Sequence, residues 1–367
     1  MPKKTQPKIS VLVPCYNVEK FLPQCLDSIV NQTLRDIEII CINDGSTDKT
    51  LDIITSYAKH DDRIVIIDKP NEGYGKSMNR GLDAATGKYI GIVESDDWID
   101  LNMFEHLVRI AENNDVQVVK SNFYRYTTEN GEKNIKADVL PVHDTNCVIN
   151  PLQRISVFYC QPAIWSAIYR RDFLVKNEIR FLESPGASFQ DTGFNFKVWM
   201  MARRVWLTSD AYLHYRCDNE NSSVKSTGKI FCVCDEYESI EQYLSERNLL
   251  SPSVKRLIAH IKLGPYKWNL ERLGGKAQQQ FAERFAQEYQ EIIKRGELEQ
   301  IYFDDRTWAR LMKIIYPKKL WWKIANLLYR FIAPIYKVRV RHGYKKYLLF
   351  GGITLHSVRI PSLQIEE

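Results

Sequence analysis

From residue 8 to about residue 119, apolar positions fall into short unbroken runs separated by segments with helical spacing. KISVLVPCY reads as a buried strand, EKFLPQCLDSIVNQ as an amphipathic helix, and IEIICIND as a second strand. GSTDKTLDIITSYAKH opens with turn and capping residues and continues as a helix. RIVIIDK is a third strand, SMNRGLDAATG a helix and KYIGIVES a fourth strand. Short apolar strands alternating with helices predict an α/β domain whose mostly parallel central sheet is flanked by helices on both faces. In such sheets ligands gather beyond the carboxyl ends of the strands. Three polar clusters stand there: PCYN, NDGSTD and ESDD.

LVRIAENNDVQVVKSNFYRYT adds a helix and a strand, and the polar residues 127–150 predict a long excursion or hairpin. PAIWSAIYRRDFLVKNEIRF supplies a short helix and strand, ESPGASFQDTG a loop, FNFKVWMMARR a helix, TSDAYLHYR a final strand and DNENSSVKST a flexible turn. Beyond residue 229 the pattern is mainly helical. This places a boundary near residue 228, with a catalytic-type domain at 1–228 and a C-terminal extension at 229–367.

The 367 residues, 44% of them hydrophobic, suffice for one principal domain and an appended one. No window reaches the apolar length of a spanning helix, and MPKKTQPKIS lacks the apolar run of a secretory signal, so a cytoplasmic chain is expected. Eight scattered cysteines without a CxxC pair read as reduced packing residues. A formal charge of +6 does not imply nucleic acid, and no nucleic-acid module accompanies it. The distribution is uneven. Residues 306–350 contain Lys and Arg but no acid, interleaved with Trp308, Tyr316, Trp321, Trp322, Tyr329, Phe331 and Tyr336. That mixture suits the headgroup zone of an anionic membrane. Its apolar core, IANLLYRFIAPI, is too short to span and carries Arg330 and Pro334, so it would lie on a bilayer. The alternative is a helical subdomain packed on the catalytic domain or on another copy of the chain in a homo-oligomer.

In YIGIVESDDWID the acids Glu94, Asp96 and Asp97 crowd together around Ser95. A hard divalent cation, Mn²⁺ or Mg²⁺, takes oxygen ligands and shares them with substrate phosphates, and would offset the repulsion. Otherwise Asp96 or Asp97 caps the helix DWIDLNMFEHLVRIAENN. At PCYN, Pro14 and the following turn stop the strand so that Tyr16 and Asn17 lie over its end. There the tyrosine ring could meet a base, or the stretch is an ordinary strand-to-helix turn. In NDGSTD, Gly45 permits a tight turn and Ser46, Thr47 and Asp48 can cap the next helix. Asp44 is then free to accept hydrogen bonds from a base. NEGYGKSMNRG sets Gly73 and Gly75 ahead of Lys76 and Arg80, a weak phosphate-cradle signal that by itself means mainly a flexible loop.

In order and spacing, ISVLVPCYNVEKFLPQCLDSIVNQT, IEIICINDGSTDKT, NEGYGKSMNRGLDAATGKYI and ESDD resemble the inverting glycosyltransferases of family 2, and the likeness extends over residues 7–225. The resemblance implies a Rossmann-like GT-A domain that binds a nucleotide-activated sugar. It implies that Pro14, Tyr16 and Asp44 hold the base, that Asp97 ends a DxD-like motif and binds the metal, and that Glu94, Ser95 and Asp96 line the sugar and diphosphate. Glu94 departs from the aspartate often found at the start of that motif. Met78 stands where many relatives have arginine, and Lys76 or Arg80 would take over its contact with diphosphate. SFQDTGFNF resembles the family's Glu-Asp motif with Gln190 in place of Glu. An inverting transfer needs a base for the acceptor hydroxyl, and Asp191 takes that role unless it only caps TGFNFKVWMM. PAIWSAIYRRDFL resembles a segment near the acceptor, making Trp165 either a stacking platform for a sugar or a core residue. His214 lies where some relatives place a histidine on the metal, and is otherwise structural.

The function so implied is transfer of a single sugar from a nucleotide sugar, a uridine diphosphate sugar first, to a glycan or lipid-linked acceptor in bacterial surface-polysaccharide assembly such as lipopolysaccharide, capsule or exopolysaccharide. The absence of a QxxRW-type motif and of spanning helices favours a non-processive enzyme, and the basic, aromatic C-terminal region with a lipid-linked acceptor would place it peripherally on the cytoplasmic face of the inner membrane. Two other readings stay open. Nucleotidyl transfer to a sugar phosphate would want a Gly-rich loop where PCYNVEK stands, and a membrane-peripheral scaffold would carry a degenerate donor site.

Overall fold

The computed structural model describes residues 6–129, 131–219, 229–317, 336–341, 344–349, 353–359 and 365. The chain forms two compact units, Met1–Ser226 with Cys234–Tyr243, and Thr227–Val233 with Leu244–Glu367.

The first unit is built on a sheet that opens with β1 (Ile9–Cys15), every residue of which is buried, as a strand covered on both faces requires. Helix α1 (Leu22–Val30) carries Pro23 in its first turn and buries Leu22, Cys25, Leu26 and Ile29, one stripe at three- and four-residue spacing. Then follow β2 (Ile37–Asp44), α2 (Thr50–Ala58), β3 (Ile64–Lys69), α3 (Tyr74–Ala84) and β4 (Tyr89–Ile92). Strands β1, β2, β3 and β4 are parallel, in the order β3-β2-β1-β4. Their carboxyl ends therefore share one edge, where PCYN, NDGSTD and ESDD were expected.

After a two-residue strand β5 (Trp98–Ile99) and α4 (Met103–Asn114), β6 (Val118–Thr127) turns into β7 (Lys133–Ala137), with Thr127 opposite Lys133. The polar excursion thus begins as a hairpin. It continues through β8 (Val148–Ile149) to β9 (Ala167–Arg170), α5 (Arg171–Lys176), α6 (Gln190–Met201) and β10 (Val205–Arg216). Among the described residues the sheet runs β3-β2-β1-β4-β9-β6-β10-β5, with β7 on β6 and β8 on β10. β9 is antiparallel to both of its neighbours and β6 is parallel to β10, so the sheet is mixed beyond β4. Residues 234–243 of α7 (Cys232–Glu246) complete this unit.

The second unit holds α8 (Pro252–Arg272), α9 (Gly275–Lys294) and α10 (Asp305–Ile315). Ser251 and Asp304 cap α8 and α10 through the amides of Val254 and Thr307. Tyr266, Phe281, Phe285 and Tyr289 pack ring against ring between α8 and α9. Beyond these helices comes a three-stranded antiparallel sheet, β11 (Tyr336–Arg341), β12 (Tyr344–Leu349) and β13 (Ile353–Arg359). A mainly helical reading missed it. In YKVRVR the valines alternate with cations at a period of two, a strand signal hidden under a basic, aromatic composition.

No helix among the described residues is long and apolar enough to cross a membrane. The apolar stretch 324–335 with Arg330 and Pro334, the aromatic residues Trp321, Trp322, Tyr329 and Phe331, and residues 220–227 of the expected flexible turn lie outside the described residues.

Candidate active site

The loops after β1 and β2 are bonded into one platform. Asn17 donates its N–H to Ser46 Oγ at 3.1 Å and accepts that of Thr47 at 2.8 Å. Asp48 accepts the amides of Glu19 and Thr50 at 3.1 and 3.0 Å. Asn17 and Asp48 are thereby structural, and Tyr16 is left 51% exposed over the strand ends. Pro14 is buried in the ladder opposite Ile42. Asp44, expected to be free because it stands just before the turn, is instead engaged. Its carboxylate accepts the Lys69 ammonium and the amides of Glu72 at 2.8 Å and Gly73 at 3.0 Å. A carboxylate offers about four acceptor positions, so one remains.

The ESDD acids lie between this platform and β10. The first helix after them begins at Met103, with Asn102 in the capping position, so neither Asp96 nor Asp97 caps it. Asp97 is 1% exposed. One of its oxygens accepts the Arg216 N–H at 2.8 Å, and Oδ2 has no hydrogen-bond partner. Burial and the charges of Asp96 and Glu94 hold its carboxyl well above the usual range. Glu94 accepts the Tyr74 hydroxyl at 2.7 Å, and burial pushes its carboxyl up to about 8, with Asp96 and Asp191 adding to the shift. Asp96 accepts the Asn219 amide at 2.8 Å, while Ser95 is buried between the acids. Arg216 lies over the rings of Phe21, Trp98 and Tyr126 at 4.8, 5.0 and 5.2 Å, and donates to the Asp96 carbonyl. An orphaned, buried carboxylate oxygen beside a second strained carboxyl fits a divalent cation. No three His, Cys, Asp or Glu side chains among the described residues are grouped to hold one unaided, as suits an ion completed by substrate phosphates.

Asp191 stands in the first turn of α6, one residue beyond Gln190. It does not cap the helix. That position belongs to Phe189, whose φ of 61° is uncommon for a bulky residue. The Gln190 amide donates to Ser184 Oγ at 2.9 Å and to the Gly186 carbonyl at 3.1 Å, and its oxygen accepts the Ser188 N–H. Gln190 therefore organises residues 184–188 and explains why an amide is accommodated where a glutamate was expected. The Thr192 N–H donates to Asp191 at 2.7 Å. Burial nevertheless raises the Asp191 carboxyl to about 6, against the pull of that bond and of the Lys120 ammonium.

Lys120 is buried on β6 and donates to the Ala163 carbonyl and to Ser166 Oγ. Behind α6, Glu236 is 1% exposed and neither carboxyl oxygen has a hydrogen-bond partner among the described residues. Burial pushes it up to about 9, and a Cβ on Gly193 would stand 2.0 Å from Glu236 Oε2. NEGYGKSMNRG, a weak phosphate-cradle signal read mainly as a flexible loop, forms a closely packed joint at the start of α3. A Cβ on Gly75 would meet the Leu182 carbonyl oxygen at 2.0 Å, and the Tyr74 N–H is already bonded to Gly186. Lys76 and Arg80 pair with Glu72 on the exposed side of α3, whereas Met78 is fully buried.

Trp165 is 7% exposed, stacked on Tyr215 at 5.2 Å and edge-on to Phe123 at 4.7 Å. It is a packing residue, and Tyr215 carries the half-exposed ring. His214 stacks between Trp98 and Tyr124, with its nitrogens 3.0 Å from Asn134 Oδ1 and from Asp100 Oδ1. Both are engaged, which leaves no free nitrogen for a metal in this arrangement. Tyr74, Lys120, Tyr215, Arg216 and Glu236 escaped the sequence reading. Only Lys120 carried a signal, a lone cation inside the apolar run VQVVKSNF.

A parallel strand edge with a platform for a base, clustered acids and a separate carboxylate at a helix start defines a glycosyltransferase of the GT-A fold. The chain belongs to glycosyl transferase family 2, whose profile matches residues 10–174. It is 34% identical over 226 residues to EpsJ of Bacillus subtilis, an uncharacterized glycosyltransferase, covering 59% of this chain and 62% of EpsJ, less than two thirds of that relative. To EpsH of the same organism, a glycosyltransferase by name, it is 30% identical over 259 residues, 70% of this chain and 75% of EpsH. The crystal structure of S. aureus TarS 1-349 in complex with UDP superposes with a TM-score of 0.66 at 20% identity, covering 94% of this chain and 99% of that one.

Proposed function

We propose that the first unit transfers one sugar from a uridine diphosphate sugar to a hydroxyl of a glycan or lipid-linked acceptor, with inversion at the anomeric carbon, in the building of a bacterial surface polysaccharide. The observation that carries the reading is the buried, unpartnered Asp97 oxygen beside Glu94, with Asp191 separately raised toward neutrality. The UDP complex of TarS supports uridine.

Tyr16 offers its exposed ring to the face of the base, next to Pro14, and Asp44 its remaining acceptor position to a base N–H. Asp97, with Glu94, Ser95 and Asp96 beside it, would hold Mn²⁺ or Mg²⁺. The ion, when bound, supplies neutralisation of the charge on the leaving diphosphate. Asp191 takes the proton of the acceptor hydroxyl as that oxygen bonds to the anomeric carbon, and the electron pair of the broken bond leaves with the diphosphate. A base near 6 is ionised at neutral pH while still able to accept a proton. His214 and Trp165 act by packing, and Lys76 is left to compete for diphosphate with its Glu72 partner. The basic, aromatic residues after 306 would hold the chain on an anionic bilayer beside a lipid-linked acceptor.

Calorimetry with UDP and UDP-N-acetylglucosamine, in Mn²⁺ or in chelator, tests the scheme. The wild type is expected to bind in Mn²⁺, Asp97→Ala to lose the metal-dependent part, and Asp191→Asn to bind normally yet transfer nothing. Equal affinity with and without metal removes the cation from the mechanism, and no binding of any sugar nucleotide defeats the donor reading. Flotation with phosphatidylglycerol vesicles checks the membrane contact, which fails if neutral and anionic vesicles bind alike.

A further inference from the structure

Side chains along a strand alternate between the two faces of a sheet, so neighbours in sequence serve different surroundings. On β10, His214 and Arg216 share one face, where they stack with Trp98, Tyr124 and Tyr126. Tyr215, between them, points to the other face and meets Phe123 and Trp165. Its ring lies flat on Trp165, with 4° between the planes and 5.2 Å between centroids, and Phe123 meets it edge-on at 6.3 Å. Trp165 is in turn fixed in a turn pinned by Lys120, through bonds to Ala163 and Ser166. The phenol ring is therefore held rigidly, half-exposed, with a hydroxyl that makes no hydrogen bond among the described residues.

The next residue, Arg216, gives its N–H to Asp97 at 2.8 Å, which sets Tyr215 directly beside the motif acids. Burial raises the phenol, and the charges of Asp97, Asp96 and Asp191 all raise it further. At neutral pH a phenol hydroxyl is protonated and can donate. In an inverting displacement the attacking and leaving oxygens occupy opposite sides of the anomeric carbon. The sugar ring being transferred must then lie between the motif acids and Asp191, and Tyr215 is tied to both sides: Asp97 bonds the N–H of the residue after it, and the turn carrying Trp165, on which its ring stacks, packs against α6, the helix that carries Asp191.

We propose that the Tyr215 hydroxyl hydrogen-bonds a hydroxyl of the sugar being transferred and selects among donor sugars. The inference rests on the glycosyl-transfer reading above and adds the residue that reads the sugar rather than the nucleotide. A buried-side donor built for a substrate hydroxyl disfavours an analogue that lacks it or turns it away.

The test compares the full-length wild type with Tyr215→Phe, which keeps the ring and its stack on Trp165. Calorimetry in Mn²⁺ measures UDP, UDP-glucose, UDP-galactose and UDP-N-acetylglucosamine. UDP affinity is expected to stay within about twofold, while the advantage of the preferred UDP-sugar over UDP shrinks roughly three- to tenfold, as for one neutral hydrogen bond, and the ranking of the three sugars flattens. An unchanged advantage and ranking overturn the inference, as does an equal loss for UDP and all its sugars, which would make Tyr215 a support for the nucleotide site. A wild type that binds UDP but none of the sugars also overturns it. If the wild type binds no nucleotide at all, the glycosyl-transfer reading fails first and this inference with it.

Discussion

Glu94→Gln should stabilise the cation-free protein, by an amount that grows with pH. Burial raises the Glu94 carboxyl from its ordinary value near 4.5 to about 8. Between those values the folded state holds a proton that the unfolded chain has released, so wild-type stability is complete below the unfolded value and is lost as pH rises toward 8. At about 1.4 kcal/mol per pH unit the gap amounts to about 5 kcal/mol at most. Water entering the crevice and an effective dielectric above that of a dry interior reduce it to roughly 2–3 kcal/mol. Glutamine keeps a carbonyl oxygen for the Tyr74 hydroxyl, which now bonds Glu94 at 2.7 Å, so little is lost with the charge. Urea unfolding of both proteins in chelator, followed by fluorescence at pH 5 and pH 8, measures the effect. The variant is expected to match the wild type closely at pH 5 and to exceed it by roughly 2–3 kcal/mol at pH 8. A difference independent of pH, or a variant less stable at pH 8, refutes the claim that this carboxyl is held against its own charge.

Transfer should rise with pH through about 6, where Asp191 releases its proton, and fall roughly tenfold from pH 7 to pH 5 as the ionised fraction drops. A flat profile over that range excludes Asp191 as the base. Lys120→Met should move the midpoint upward, because the ammonium now favours the carboxylate; an unmoved midpoint in a folded variant separates the two groups. Gln190→Glu should remove two donors, to Ser184 and Gly186, at a cost of about 1–3 kcal/mol, and quicken hydrogen exchange in residues 184–188. Unchanged exchange there means that the amide does not hold the loop.

The parallel half of the sheet was legible because β1 and β2 are nearly continuous apolar runs, a pattern that strands buried on both faces must show. The start of α3 was not. Two glycines made Tyr74 and Gly75 read as lying ahead of the helix, yet Gly75 is needed because the helix passes against the Leu182 carbonyl, a contact across more than a hundred residues. Asp44 was located correctly at its strand end but misread as free. Its partner Lys69 is 25 residues away and directly opposite in the β2–β3 ladder, so the pairing exists only once the register is fixed. On β10 the sequence led to His214, the residue type that most often binds metals, whereas alternation gives that histidine to an aromatic stack and turns its neighbour Tyr215 onto Trp165.

The features that sequence pattern could not supply share one physical character. Glu94 and Asp97 are acids buried beside like charge, Lys120 is a cation inside the sheet, Glu236 is a carboxyl without a matched partner, and Phe189 occupies a backbone region that bulky residues avoid. Each opposes folding by a fraction of the few kcal/mol that separate folded from unfolded chains. The costs fall in one half of the first unit, around α6 and the ESDD turn, while β1, β2 and α1 bury apolar side chains closely. That asymmetry is what a pre-organised transfer site requires: charges fixed before substrate arrives, on a core rigid enough to keep them from relaxing. It also orders the experiments. If Glu94→Gln and Asp97→Asn both raise cation-free stability while abolishing the response to Mn²⁺, the strain belongs to the site. If they raise stability and leave that response intact, the acids are a local packing conflict and the cation binds elsewhere.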